Sequence, residues 1–387
     1  MNMQDAPDTI TALALFDRIA AAPPAVPPAW PARPLVLYGA GKLGTMSAQI
    51  LAGLGLPVAY AIDRHPPADG LLDARIPVHH PDAVPPAERA SHALAICVVT
   101  GAYTPIRDAL RSDGWQDIHP VYDLIAAHSA RCGMNNGWSA GTLDEADRAG
   151  IAQVLAGWHD DASRAAHLQC LAWRTLREEW TFDAAPVHID NRYRIAELRA
   201  ALRADERILD GGAWQGEALE ALIALCGGRF ESALAVEPDP VNLAALNAWH
   251  ARRPADQRAR IRVHACALGN IDGTQRFDAG MGMASRLRDN GGSTVAVYRI
   301  DALGESPSLI KLHLEGHELP ALRGAQRTLE RCRPLLAVTT YHNRDGLWRT
   351  PAWLMDHLPD YRFLMRMHGW CGTGAVVYGI PAERWPR

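Results

Sequence analysis

A short apolar run, Ile208-Leu209, enters Asp210-Gly211-Gly212-Ala213-Trp214-Gln215-Gly216, and Leu219, Leu222 and Ile223 then recur at helical spacing. Glycine lacks a Cβ and accepts positive φ, so a turn of this kind lets the backbone come close to a ligand. The helix beyond it offers unpaired N–H groups and the positive end of its dipole. In this D-x-G-x-x-x-G pattern Asp210 ends the first strand and faces the amino-acid end of a nucleotide-like cofactor. A second apolar run, Ala233 to Val236, ends at Glu237, about twenty residues beyond Gly216, where a carboxylate can accept both ribose hydroxyls. By pattern alone the turn also suits a purely structural role or another dinucleotide site.

The elements that must hold these groups read as strands alternating with helices. Later apolar strands fall at Leu309 to Leu314, Leu335 to Val338 and Ala375 to Tyr378. An earlier unit repeats the logic, with Leu35 to Tyr38, Val58 to Ile62 and Ala93 to Val99 as strands. This alternation predicts parallel sheets of Rossmann type. Between the two units, Thr142 to Glu145 has capping-box spacing, Ile151, Val154, Leu155 and Trp158 share a helical face, and a second helix starts near Asp161. The expected organisation is an N-terminal helix and Pro-rich arm over 1–34, a Rossmann-like unit over 35–128, a helical connector over 129–205 and a catalytic unit over 206–387. A chain beginning near Ser129 is expected to fold and bind cofactor unaided.

Several ordered motifs make the C-terminal unit specific. Glu237-Pro238-Asp239-Pro240 with Asn242, Leu246 and Asn247 resembles the E-P-x-P-x-N-x-x-x-L-x-x-N pattern of FkbM-family methyltransferases. Ile300 to Leu303, then Leu309-Ile310-Lys311-Leu312-His313-Leu314-Glu315-Gly316-His317-Glu318, resembles that family's later lIK-x-D-x-E-G-x-E segment, and Leu322, Gly324 and Ala325 continue it. Tyr341-His342 with Asp345, and Tyr361 to His368, are similar to its closing segments, so the likeness spans roughly 160–381. It implies an α/β class I methyltransferase fold with S-adenosylmethionine as donor, held by Asp210, Gly212, Ala213, Gly216, Glu237, Pro238 and Asn242. It further implies methylation of a hydroxyl on a sugar, glycan or natural product. One departure stands out, because His313 occupies the place of the family aspartate.

Methyl transfer to a hydroxyl needs in-line approach and a proton acceptor. On a strand Lys311, His313 and Glu315 would share one face by its period of two, and His342 would end the neighbouring strand. Imidazole is the natural base near neutral pH. The expected catalytic set is therefore His342, His313, Glu315 and Lys311, with His342 taking the proton. Each has a blander reading: Lys311 as the partner of Glu315 or Asp210, His342 as a core histidine, and His317 and Glu318 as the start of a helix. A metal held by His313, Glu315, His317 and His342 is set aside, since H-x-E-x-H is not a zinc spacing and the break at Gly316 should separate the side chains.

In the first unit Gly39-x-Gly41-x-x-Gly44 follows a strand and opens a helix, and Asp63 ends the next strand. This is the context a dinucleotide fingerprint requires. Gly114 to Pro120 resembles segments of small Rossmann domains attached to sugar-modifying enzymes, which implies a nucleotide or sugar-nucleotide site, NAD chemistry or a scaffold. Two rival readings of the whole follow: a non-enzymatic scaffold with a degenerate methyltransferase fold, or an NAD-dependent oxidoreductase working through the first unit.

Bulk composition narrows the classes. The net charge of −4 and the absence of a basic block argue against nucleic-acid binding. No apolar stretch reaches the roughly 18 residues of a membrane span, and the early acidic residues do not make a signal peptide. The seven cysteines are scattered without paired spacing, which predicts reduced thiols in a cytoplasmic protein.

Overall fold

The computed structural model describes residues 1–26, 31–126, 128 and 136–385, so part of the Pro-rich arm, Ser129 and Cys132 lie outside the described residues. The C-terminal unit is built on seven strands, in chain order Arg207–Gly211, Ser232–Val236, Ile261–His264, Leu309–Leu312, Leu335–Thr339, Tyr361–Met367 and Ala375–Pro381. Their spatial order is third, second, first, fourth, fifth, seventh, sixth, with only the seventh antiparallel to its neighbours. Of the five parallel strands all but the edge strand Ile261–His264 are almost wholly buried, because both faces of the sheet are covered there. Strand order reverses between Arg207–Gly211 and Leu309–Leu312, and the crevice at such a switch point is where ligands sit in α/β sheets. The Asp210 turn and the Lys311–Glu315 segment both leave the sheet there.

The N-terminal unit is a second α/β sheet of six strands, ordered Leu71–Leu72, Ile76–His79, Val58–Ile62, Leu35–Tyr38, Ala93–Ile96 and Asp117–Pro120. A further four-stranded sheet spans 267–298 and stands beside the Asp210 turn; none of its strands was expected from the sequence, although Val295 to Tyr298 is an apolar run. The two expected connector helices form as Glu145–Gly157 and Asp161–Leu176. The first differs at its start. Asp144, not Thr142, is the N-cap, and it exchanges hydrogen bonds with Asp147 in the capping box. Thr142 lies too far upstream once the helix begins at Glu145.

The units are more interdependent than the alternation of elements suggested. The helix Thr9–Ala21 packs Ala12, Phe16 and Ile19 (none more than 2 % exposed) into one core with Ile151, Leu168 and Leu171 of the connector. Trp173 of the connector and Cys371 beyond the sixth strand are buried among Val36, Tyr60 and Tyr103 of the first unit. Arg177 pairs with Asp123 at 2.7 Å, and the Glu179 carboxylate accepts the backbone N–H groups of Tyr103 and Thr104 at 2.6 and 2.9 Å, capping a helix across the boundary. A chain beginning near Ser129 therefore forfeits several buried side chains, each worth about 3–5 kcal/mol when it is large and aromatic. That exceeds a usual total of about 5–15 kcal/mol within a few residues. Such a fragment is expected to be insoluble or to lack near-UV dichroism, whereas a monodisperse fragment that binds S-adenosylhomocysteine would show that the halves fold independently.

Among the described residues no helix is long and apolar enough to cross a membrane. The six described cysteines are free thiols, and all but Cys332 are buried.

Candidate functional site

The first strand delivers Asp210, fully buried, into the switch point. Gly212 then takes φ +72°, and a Cβ there would lie 2.0 Å from the His313 carbonyl oxygen. Gly216 takes φ +95°, and a Cβ there would strike the Trp249 ring at 2.5 Å. These two positions require glycine for space as well as for φ. Lys311 reaches across from the fourth strand and pairs with Asp210 at 2.8 Å. Its ammonium also donates to the Gly212 carbonyl at 2.7 Å. Lys311 thus clamps the glycine turn to the neighbouring strand, and of its two expected partners Asp210 is the one it takes.

Glu237, at the end of the second strand, is 5 % exposed. Its carboxylate accepts the backbone N–H of Trp214 at 2.9 Å and that of Asp239 at 2.9 Å. Burial pushes its carboxyl above the usual range, against those hydrogen bonds. Asp239 caps the following helix through Val241 and Asn242, and its other oxygen accepts from Gly280 N–H and the Ser285 hydroxyl. Asn242 donates to the Gly282 carbonyl at 2.9 Å. Asp239 and Asn242 so tether the 280–285 loop over the site. The capping role was legible in the order Asp239-Pro240, but the tether to a loop forty residues on was not.

Glu237, Asn242, Gly282 and Ser285 line a cavity of about 370 Å³ together with Gly212, Ala213, Pro238, Lys311, His313 and Glu315. That is the size range of small-molecule sites. A nucleotide-like donor fits the pieces present: the glycine turn with Gly212 and Ala213 on the cavity wall, the buried Glu237 carboxylate at the end of the second strand, and an apolar floor.

The far wall departs from expectation. The fourth strand ends at Leu312, so the period of two does not align Glu315 with Lys311. Instead Glu315 adopts φ +53°, a rare conformation for a non-glycine residue, and Gly316 follows at φ +102°. The Glu318 carboxylate fixes this turn by accepting Leu314 N–H at 2.8 Å, Gly316 N–H at 3.0 Å and the Thr339 hydroxyl at 2.7 Å. Burial raises the Glu318 carboxyl above its usual range. The same turn swings Glu315 between two imidazoles: His313 Nε2 lies 3.2 Å from one oxygen and His342 Nδ1 lies 3.2 Å from the other. The break at Gly316, expected to separate these side chains, is what gathers them. His317 does not join them; it precedes the short helix Glu318–Arg323.

His313 contacts the hydroxyls of Tyr193 at 3.0 Å and Tyr341 at 3.2 Å. Burial, then the charges of Lys311 and Arg192 and the ring of His342, hold His313 well below the usual histidine range. His342 is held low as well, first by burial. It is 2 % exposed and stands behind Glu315, outside the residues that line the cavity. Of the two histidines expected at the acceptor, His313 lines the cavity and His342 does not. Tyr193, from the loop ahead of the catalytic sheet, is a contact that no sequence spacing announced.

In the first unit Gly39 has φ +105°, and a Cβ on Gly44 would lie 2.1 Å from the Gly39 carbonyl oxygen. Asp63 accepts Ala40 N–H at 2.7 Å and His65 N–H at 2.8 Å. Lys42, at the start of the helix after this turn, stands 5.0 Å over the Trp214 ring, so the two glycine-rich turns are neighbours.

Comparison with known proteins bears on this geometry. The profile of the family described as Methyltransferase FkbM domain matches residues 210–367, from the buried aspartate to the end of the sixth strand. No curated protein matches the chain. Among solved structures, the methyltransferase FkbM from Methylobacillus flagellatus KT superposes with a TM-score of 0.62 at 20 % identity, over 96 % of this chain and 100 % of that one. That likeness shows a shared fold along nearly the whole length. A precorrin-6y C5,15-methyltransferase from Geobacter metallireducens GS-15 aligns with a TM-score of 0.30 at 12 % identity, over 50 % of this chain and 96 % of that one. Residues 210–367, which carry the glycine turn, Glu237 and the Lys311–Glu315 segment, thus match the FkbM methyltransferase domain.

Proposed function

We propose that the chain is an S-adenosylmethionine-dependent methyltransferase of the FkbM family that methylates a hydroxyl oxygen on a sugar, glycan or natural product, with Asp210, Gly212, Ala213, Gly216, Glu237, Pro238 and Asn242 holding the donor. The observation that carries this reading is one cavity lined both by Glu237 and by His313 with Glu315. S-adenosylmethionine, when bound, supplies the electrophilic methyl group and leaves as S-adenosylhomocysteine. Glu237 accepts the ribose hydroxyls with the lone pairs its backbone donors leave free. Lys311 keeps the turn in place. His313 lies where an acceptor hydroxyl must enter and takes its proton as the oxygen attacks the methyl carbon, while Glu315 and His342 orient the ring. Calorimetric titration with S-adenosylmethionine, followed by a transfer screen against sugars and small natural products, tests the reading.

Glu237→Ala is expected to weaken S-adenosylhomocysteine binding by about 1–3 kcal/mol, the worth of hydrogen bonds to a charged group. An unchanged dissociation constant would remove Glu237 from the ribose site.

The first unit we read as a nucleotide or sugar-nucleotide site, with Gly39, Gly41 and Gly44 approaching the phosphates and Asp63 the ribose; NAD is the alternative occupant. The adjacency of Lys42 to Trp214 supports a site that communicates with the donor turn. Titration with NAD and with a nucleoside diphosphate sugar separates the two, and no heat from either would leave the unit a scaffold. Free, mostly buried thiols agree with a cytoplasmic protein.

A further inference from the structure

His313, Glu315 and His342 each offer one ligand atom, and the three atoms lie within 4.8 Å of one another. Two donors held about 2.1 Å from one ion at a tetrahedral angle stand about 3.4 Å apart. The two imidazole–carboxylate contacts, both 3.2 Å, match that spacing. His342 adds a second, independent sign. It is 2 % exposed, and beyond the Nδ1 contact with Glu315 neither of its ring nitrogens has a hydrogen-bond partner among the described residues. A buried imidazole in that state needs a partner, and an ion is one of the few that suit it. His313 Nδ1 meets the Tyr193 hydroxyl at 3.0 Å, the outer contact by which a ligating imidazole is oriented through its other nitrogen. Finally, Glu315 carries the left-handed backbone that places its carboxylate between the rings, and such conformations concentrate at functional sites.

We propose that His313, Glu315 and His342 bind one divalent first-row transition ion at the acceptor end of the cavity. Two imidazoles and a carboxylate favour zinc, cobalt, manganese or iron over magnesium and calcium, which prefer all-oxygen shells. The site rests on donor geometry alone. Its part in catalysis, holding and polarising the acceptor oxygen, rests on the methyl-transfer reading above.

The test uses the full chain, stripped with a chelator and titrated with Co(II) and with Zn(II) by calorimetry and visible absorption, with Mg(II) in parallel. One equivalent of Co(II) with visible d–d bands is expected, and little response to Mg(II). Glu315→Gln, which keeps the side-chain shape, and His342→Ala are expected to weaken binding by roughly tenfold or more. S-adenosylhomocysteine affinity, measured on the same samples, should stay the same and reports that the fold is intact. Absence of stoichiometric ion binding by the unaltered protein, or affinity in both variants equal to that of the unaltered protein, overturns the site. Since donor binding is read separately, failure of the ion site and failure of the methyltransferase reading give different results.

Discussion

Lys311→Met is expected to destabilise the protein by about 3–5 kcal/mol, the usual result of removing one member of a buried ion pair. Lys311 is 2 % exposed and Asp210 is 0 % exposed, so water cannot take over when the partner is lost. The ammonium also serves the Gly212 carbonyl at 2.7 Å and the Gly211 carbonyl at 3.3 Å, and both would be left without it. The loss therefore reaches the glycine turn itself, and donor affinity should fall along with the melting temperature. Adding Asp210→Asn removes the stranded charge. The double variant Asp210→Asn, Lys311→Met should be more stable than Lys311→Met alone, with a coupling of about 0.5–3 kcal/mol in the cycle. Strict additivity of the two changes would mean that the pair does not act as a unit.

The contrast between Lys311 and Glu315 shows which parts of the site the sequence could reveal. Asp210, Gly212 and Glu237 end parallel strands or open the turn after one, and a strand followed by a glycine-rich turn is a local pattern. Their placement followed from that pattern. Lys311 lies inside a strand, so its direction followed as well, and only the choice between two carboxylates was open. Glu315 lies three residues past the end of the strand, where the period of two has no force. A left-handed residue at 315, held by a buried Glu318 and by Thr339 from the next strand, is a tertiary arrangement, and no spacing encodes it. The same holds for the tether of the 280–285 loop by Asp239 and for Tyr193 against His313. The packing of the N-terminal helix was hidden for a related reason. Its apolar face predicts burial, but the pattern does not name the surface that covers it, and the structure covers it with the connector rather than the nearer sheet.

His313→Ala is expected to lower turnover by roughly 10²–10⁴-fold, the usual worth of a positioned proton acceptor, while S-adenosylhomocysteine affinity stays nearly unchanged. The split follows from position. The ring lines the cavity but contacts Tyr193, Tyr341 and Glu315, not Glu237 or the glycine turn, so its removal leaves the ribose end intact. His313→Asp should retain more activity than His313→Ala, since an aspartate stands at this place in the family pattern and a carboxylate can serve either as base or as ligand. His342→Ala then discriminates between the two ways the ring can work. Proton transfer by His313 alone makes His342 an orienting residue, and its removal should cost far less than loss of His313. Should an ion held by both imidazoles be needed for turnover, the two alanine variants should fall together, and excess Zn(II) or Co(II) should restore part of the loss in His342→Ala by refilling a weakened site. Full activity in His313→Ala would remove the residue from the chemistry, leaving orientation of the acceptor against the donor as the source of rate.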